Sequence, residues 1–576
     1  MADYDLVIRG GTVIDGRGGA PRMADVAVKD GVIALVGQVR GKGAEEIDAT
    51  GLAVTPGFVD VHTHYDGQIT WENRLAPSSN HGVTTVVMGN CGVGFAPVRP
   101  TDHELVIRLM EGVEDIPHVV MSAGVPWNWE TFEDYLDALD QRESDVDFAT
   151  QIPHSPLRVY VMGERGGSEL ATDEDLAKMR AAVASAVKAG ALGFSTSRNL
   201  FHRFRNGVLA PSVKTEREEL IALAAGLKDA GSGVFQLNPF LDGDADEEMD
   251  LFRTIAASSG RPLNYSLIYI AHKAENWPVY VDDTAKANAE GLKITAQYMP
   301  RPMGVMYGLD LTYHPFSLNP SYREIARLPL AEKVARMRDP EFRARLISEE
   351  PDDPNPAFVG MLSRPTDLYP LKDPINYDFH YEDSLTAQAE REGRPVRELI
   401  YDALLEDEGR AVLCSYSSKV PDYLERSIPL IARPDMVMSL GDGGAHYGMI
   451  CDAAYTTYVL SQRLGKDGID LPLLIEALTQ RPALSVGLAD RGVVAEGYKA
   501  DINLIDVARL GLSRPAVTAD LPAGGKRLTQ RSTGYVATIV SGAVTYRDGT
   551  PTGALPGRLV RGAKPTPIVE REREAA

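Results

Sequence analysis

A repeated rhythm between residues 172 and 298 most constrains what this chain can fold into. Four times an amphipathic helical run ends at a glycine, at Gly190, Gly231, Gly260 and Gly291, and a short apolar stretch follows. The first run opens on Thr172 with Asp175 three residues on, and carries Leu176, Met179, Val183 and Val187 at helical spacing. Thr215 with Glu218 predicts the start of the second, and helices are expected over about 246–258 and 282–290. Glycine closes a helix well because it adopts the left-handed conformation without a Cβ clash. Strands are predicted at 192–196, after Gly231 at Val234 and Phe235, at 263–270 and at 293–298. Helix–glycine–strand units at roughly 30–40 residue spacing give parallel strands with helical crossovers. That many in succession predict a (β/α)8 barrel or a doubly wound sheet.

The two ends of the chain read differently. Residues 5–55 are short strands broken by tight turns, with Asp30-Gly31 as a hairpin signal. Strand patterning returns at 500–506, 537–540 and 544–546, so both ends are expected to pack together as one β domain, residues 1–55 with 490–562. The barrel is expected over 56–489. Residues 315–410 are rich in proline and charge, with helical stretches near 329–349 and 383–405, and read as an insertion over one mouth. Strand character resumes at 411–416 and 436–441. The charged tail, 563–576, is expected to be mobile.

Composition narrows the function. Of 576 residues, 59 are Lys or Arg and 81 Asp or Glu, a net charge of −22, which disfavours nucleic acid or anionic membranes as partners. There is no apolar run long enough to span a bilayer, and the first residues lack a signal-peptide pattern. Three cysteines make no disulfide framework. The expectation is a soluble cytoplasmic protein acting on a small molecule, with its oligomeric state open.

The chemistry concentrates at strand exits. The apolar stretch Phe58-Val59-Asp60-Val61 runs into His62-Thr63-His64, and alternate residues of a strand share a face, so both imidazoles can address one metal ion. A strand at 84–88 ends in Gly89-Asn90-Cys91-Gly92, which places a thiol at its exit. One at 436–440 ends in Gly441-Asp442-Gly443-Gly444-Ala445-His446. Each alone has a structural reading, as surface histidines, a small buried cysteine or a turn aspartate. In a parallel barrel all of these exits converge on one mouth.

Together these segments resemble the amidohydrolase superfamily, in its D-aminoacylase and N-acyl-D-amino-acid deacylase branch. The likeness also covers Gly190-Ala191-Leu192-Gly193-Phe194-Ser195-Thr196, Asp520-Leu521-Pro522-Ala523-Gly524-Gly525-Lys526 and the stretch from Gly549 to Arg558, so it runs nearly end to end. It implies a TIM barrel with a β-sandwich built from both termini. It further implies that His62, His64, Cys91 and Asp442 surround the metal, with Asp442 as general acid/base. Zinc suits imidazole and thiolate ligands; one ion is expected, with two as the alternative. The implied reaction is hydrolysis of an N-acyl-D-amino acid or a related small amide by metal-activated water.

The sequence also departs from that family, which carries two further histidines at the exits of strands five and six. Here those exits read Val234-Phe235-Gln236-Leu237-Asn238 and Leu263-Asn264-Tyr265-Ser266. Gln236 and Asn238 are weak ligands and good hydrogen-bonding partners for a substrate. His202, His272 and His446 are candidate replacements, and His154 reads as structural or as support behind the ligands. Arg301 after strand seven is expected to hold a substrate carboxylate, with Arg198 and Arg203 as rivals, and Ser415 and Tyr416 to line the pocket. The missing histidines leave two other readings open: hydrolysis of a cyclic amide or lactam at the same site, or an inactive barrel that binds a ligand.

Overall fold

The computed structural model describes residues 2–353, 356–363 and 367–568. Its centre is a ring of parallel strands: β1 (Phe58–Asp60), β2 (Val83–Met88), β3 (Asp147–Thr150, continued by Ile152–Pro153), β4 (Gly193–Ser197), β5 (Val234–Asn238), β6 (Leu263–Ser266), β7 (Ile294–Tyr298) and β8 (Met436–Met438). Each pairs in parallel with the next from β1 to β8. The ring closes just past the strand ends, where Thr63 bridges Gly443 and the His64 N–H donates to the Gly443 carbonyl at 2.7 Å. This closure settles the architecture as a (β/α)8 barrel and removes the doubly wound alternative. All six residues of β2 are buried, as expected of a parallel strand covered on both faces.

The crossover helices follow local chemistry. Thr172 and Asp175 form the expected reciprocal cap on Asp173–Ala189. Thr215 does not cap Arg217–Ala230; its hydroxyl donates to the Ser212 carbonyl at 2.8 Å, so a local turn takes the group the helix start would have used. The fourth helix, Asn276–Ala289, begins six residues earlier than its polar pattern suggests because Trp277 and Tyr280 are buried there.

The inserted region has its own apolar core, including Phe316, Val334, Met337, Phe342, Tyr401 and Leu404. Its two expected helical stretches are each split. Asp339 caps a new helix at Pro340, and Gly393 with Pro395 separates Leu385–Glu392 from Val396–Leu404. The strand expected at 411–416 is not part of the barrel. Leu413–Tyr416 pairs antiparallel with Gly304–Tyr307 and Tyr369–Pro370 in a small separate sheet.

Strands from both ends of the chain share one sheet, in which Ile502–Ile505 lies between Ala53–Pro56 and Tyr535–Val540. Its core includes Leu6, Ile8, Val26, Ile33, Val54, Leu504 and Ile539. Asp30 and Gly31 form the expected hairpin turn, both at positive φ. The tail is partly held: Lys564 exchanges backbone hydrogen bonds with Gly487 and Ala489, whereas residues 569–576 lie outside the described residues.

A buried ionic cluster ties this sheet's flank to the barrel. Asp147 at the start of β3 meets Arg491 at 2.7 Å and Lys499 at 3.0 Å, and accepts the Arg558 N–H. Burial disfavours the Asp147 carboxylate, but Lys499 and Arg491 outweigh it and hold its pKa below the usual range. Asp147→Asn removes the carboxylate that both cations share, leaving Arg491 to Asp490 and Lys499 to Asp501, and we expect a loss of about 3 kcal/mol, read as a lower urea midpoint; an unchanged midpoint would show the shared contact to be energetically neutral.

Candidate metal centre at the barrel mouth

Past the end of β1 the chain keeps its alternation, so Asp60, His62 and His64 are all buried on the inner side while Thr63 makes the closing bridge. The two imidazoles stand 5.6 Å apart, centroid to centroid. Cys91 is held by its loop. The Asn90 amide donates to the Thr63 and Val87 carbonyls, and Gln151 donates to Asn90. Gly89 sits at φ 75°, where a Cβ would meet the Gln151 carbonyl at 2.2 Å. Cys91 itself adopts φ 58°, Asp442 φ 46° and His446 φ 49°. Left-handed backbone at three such residues around one mouth is strain of the kind that accompanies functional sites.

The donor atoms of His62, His64 and Cys91 all lie within 4.8 Å of one another, as a shared metal ion requires. His62 Nε2 is 3.1 Å from Cys91 Sγ. The Asp442 carboxylate approaches both rings, 3.6 Å from His62 Nε2 and 3.7 Å from His64 Nε2. The structure thus brings together the four residues expected from the strand exits.

The strand-five amides are oriented by the same thiol. The Cys91 N–H donates to Gln236 Oε1, and Asn238 Nδ2 donates to Cys91 Sγ, each at 3.1 Å. This leaves Gln236 Nε2 and Asn238 Oδ1 buried without a partner, and such groups cost about 1–3 kcal/mol unless a ligand or water meets them.

Two residues at the site escaped the sequence reading. Gln297 on β7 lies 2.7 Å from His62 Nδ1. If Nδ1 carries the proton, Nε2 is free toward Cys91. Glu114, just past the helix His103–Val113, is 2% exposed, and its Oε2 lies 3.6 Å from His64 Nε2 and 3.4 Å from His446 Nε2. One signal for Glu114 was present: Glu111, Glu114 and Asp115 crowd a helix C-terminus, where the dipole disfavours acids.

The other candidates separate. His446 joins the site through Glu114. His202 is half-buried, with its Nδ1 out of water; desolvation, then His446 and His62, hold its pKa at about 3. His272 is exposed beside Asp242 and takes no part. His154 bonds Thr196 and Glu219, both at 2.8 Å, in a structural role. Arg301 is buried, 2.6 Å from Asp452 and over the Tyr377 ring, with Nε and Nη1 unpartnered. Arg198 pairs with Glu248, and Arg203 bonds the Leu200 carbonyl. Cys414 and Tyr416 act electrostatically on Arg301, and strand alternation therefore puts Ser415 on the opposite face.

Burial sets the electrostatics. It pushes the Cys91 thiol well up, with Glu114 and Asp442 adding to the effect, and raises the Glu114 and Asp442 carboxyls above their usual range. It holds His62 at about 4 and His64 well below normal. The imidazole–carboxylate approaches are therefore contacts between groups that resist charging, and among the described residues no lysine or arginine pairs with Glu114 or Asp442. A cation is what this donor set lacks, and the residues fit one.

The amidohydrolase family profile matches residues 45–546. The chain belongs to the amidohydrolase family. It is thus a metal-binding hydrolase of carbon–nitrogen bonds other than peptide bonds. It is 26% identical to the N-acyl-D-aspartate deacylase of Alcaligenes xylosoxydans xylosoxydans, over 97% of this chain and 95% of that protein. The crystal structure of D-aminoacylase matches with a TM-score of 0.64 at 23% identity, covering 97% of this chain and 100% of that one. N-acyl-D-glutamate deacylase from Bordetella bronchiseptica, complexed with zinc and a phosphonate inhibitor, matches at 0.63 and 21%, covering 97% and 99%. These structures share the barrel-and-sandwich fold with this chain.

Because Gln297 orients the His62 ring, Gln297→Leu should weaken metal affinity about 10–100-fold, measured by competition with a chromophoric chelator. Unchanged affinity would show that the ring is held by other contacts.

Proposed function

We propose that this amidohydrolase removes the acyl group from an N-acyl-D-amino acid, with His62, His64, Cys91 and Asp442 around zinc. The observation that carries the reading is the convergence of imidazole, thiol and carboxylate within 4.8 Å and 3.7 Å spacings at the barrel mouth. The deacylase names of the relatives support the substrate class. When bound, the metal polarises the amide carbonyl and lowers the pKa of water to about 7.

The chain's own residues supply the rest. Gln236 Nε2 is free to donate to the acyl oxygen, and Asn238 Oδ1 to accept from the amide N–H. Asp442 takes the proton of the attacking water and returns it to the leaving nitrogen as the C–N bond breaks, giving a carboxylate and an amine. Arg301 offers two free N–H groups to the substrate carboxylate. Of the two residues expected to line the pocket on that strand, Tyr416 lies on the Arg301 side and Ser415 does not. Three buried free cysteines suit a reducing compartment, and we place the protein in the cytoplasm. Among the described residues no helix is long and apolar enough to cross a membrane.

Two measurements test this. Turnover of N-acyl-D-amino acids, in a panel with their L-forms and with cyclic amides, should vanish on chelation and return with zinc. Turnover that survives complete metal removal would overturn the reading, and cyclic amides as the sole substrates would move it to a lactam-type hydrolase. Asp442→Asn should lower kcat about 10²–10⁴-fold while changing KM by no more than about threefold, in steady-state assays of the metal-loaded protein.

A further inference from the structure

Resting on the deacylase reading, we infer that residues 199–210, the hairpin that follows β4, form the acyl-binding wall of the site. Through Phe201 and Val208 this wall selects a longer apolar acyl chain over acetyl.

The hairpin inverts the usual arrangement of a surface loop. Its backbone is closed on itself: Arg203 and Leu209 form an antiparallel bridge, the Phe204 N–H donates to the Val208 carbonyl at 2.8 Å, and the Ala210 N–H to the His202 carbonyl at 2.9 Å. Its cations are tied back. Arg203 Nε donates to the Leu200 carbonyl at 2.9 Å, and Arg205 meets Glu111 at 3.3 Å and Asp115 at 3.2 Å. Leu200, Phe204 and Leu209 root the hairpin in the main core. What it leaves to water is apolar, with Phe201 63% exposed and Val208 53%. Exposed apolar residues need no explanation when scattered singly. Here two stand on one small, fixed hairpin whose charges are engaged elsewhere.

The hairpin also stands at the site. The Gly92 N–H, next to Cys91, donates to Ser195 Oγ on β4 at 3.1 Å, so this strand's exit abuts the thiol's loop. His202 Nδ1 is out of water without a partner, and His62 and His446 both act on the ring. Phe201 is the neighbour of His202 in the chain. The pairing of His202 with Ala210 and of Phe204 with Val208 puts Val208 on the His202 side of the hairpin.

The reaction geometry decides which part of the substrate arrives there. Asp442, past β8, returns its proton to the leaving nitrogen, and Arg301, past β7, holds the carboxylate of the same amino-acid half. β4 lies four strands from β8 in the ring of eight. The acyl chain is the other substituent of the attacked carbon and extends away from the amino-acid half, toward β4. A charged acyl group finds no free cation on the hairpin, whereas an apolar one covers Phe201 and Val208.

The test is an acyl series on the D-amino acid that the metal-loaded protein turns over best: acetyl, butanoyl, hexanoyl, octanoyl, and succinyl, which matches butanoyl in length but carries a charge. We expect kcat/KM to rise about two- to fourfold for each added methylene, mostly through KM because the chain is bound alike before and during reaction, with succinyl poorest. Phe201→Ser and Val208→Ser should each lower the octanoyl-to-acetyl ratio about tenfold. Met23→Ser, an equally exposed apolar side chain in the sheet built from both termini, should leave that ratio unchanged. A flat or falling series in wild type overturns this inference and leaves the proposed function standing. A rising series whose ratio neither hairpin variant moves overturns it as well, since the chain is then bound elsewhere. No turnover of any member, with the metal loaded, overturns the two together. Should one hairpin variant fail to fold, the other decides.

Discussion

The constraint behind this structure is a group of ionisable side chains placed out of water with no lysine or arginine among the described residues to answer them. Burial is the largest cause that pushes the Cys91 thiol and the Glu114 and Asp442 carboxyls toward their neutral forms and keeps the His62 and His64 rings from protonating, and neighbouring like charges add to it at Cys91, Glu114, Asp442 and His64. Elsewhere the chain resolves the same problem with its own cations. Asp147 meets Arg491 and Lys499, and Glu219 meets Arg158 and His154. At the mouth no lysine or arginine among the described residues does the same, and a bound cation inverts the electrostatics: it favours thiolate, carboxylate and neutral imidazole at once.

Holding that group together determines much of the local backbone. A left-handed residue costs on the order of 1–3 kcal/mol, and Cys91, Asp442 and His446 all adopt that conformation. The surrounding glycines make it feasible by letting strand exits touch. A Cβ on Gly444 would lie 2.8 Å from the His64 carbonyl carbon and oxygen, so the β8 exit can cross directly over the β1 exit. The same crossing closes the barrel, through the His64 N–H and the Gly443 carbonyl. Ring closure and site geometry therefore rest on the same backbone crossing, and the Gly-rich segment after β8 serves both.

Much of this was legible in the residues, and the exceptions have physical causes. The helix–glycine–strand rhythm marks the parallel ring because each of its signals is local. His62, His64, Cys91 and Asp442 were visible because strand exits of a parallel barrel must converge. Glu114 was not, since it comes from the end of a crossover helix, and its approach to His64 depends on how that helix packs. Gln297 was hidden for another reason: a glutamine inside a strand has no distinguishing spacing, and its role appears only when β7 faces β1 across the ring. Leu413–Tyr416 has genuine strand character, but sequence patterning does not say which sheet a strand joins. Thr215 shows a local contest, where a hydroxyl that could cap a helix closes a preceding turn.

The absence of histidines at the β5 and β6 exits then takes on a positive meaning. Ionisable donors concentrate on one arc of the mouth, from the exits of β1, β2 and β8 and the helix that follows β2. The opposite arc presents neutral groups: Gln236 and Asn238 on β5, Ser266 on β6 and Gln297 on β7. Their free atoms, Gln236 Nε2, Asn238 Oδ1 and Ser266 Oγ, are buried without partners. Neutral amides cannot neutralise a metal, but they can recognise a neutral amide, donating to its oxygen and accepting from its nitrogen without adding charge. Since an unmet buried polar group is costly, this arc discriminates against ligands that cannot complete its hydrogen bonds. The mouth is thus divided into a side that holds charge and a side that orients an uncharged bond beside it.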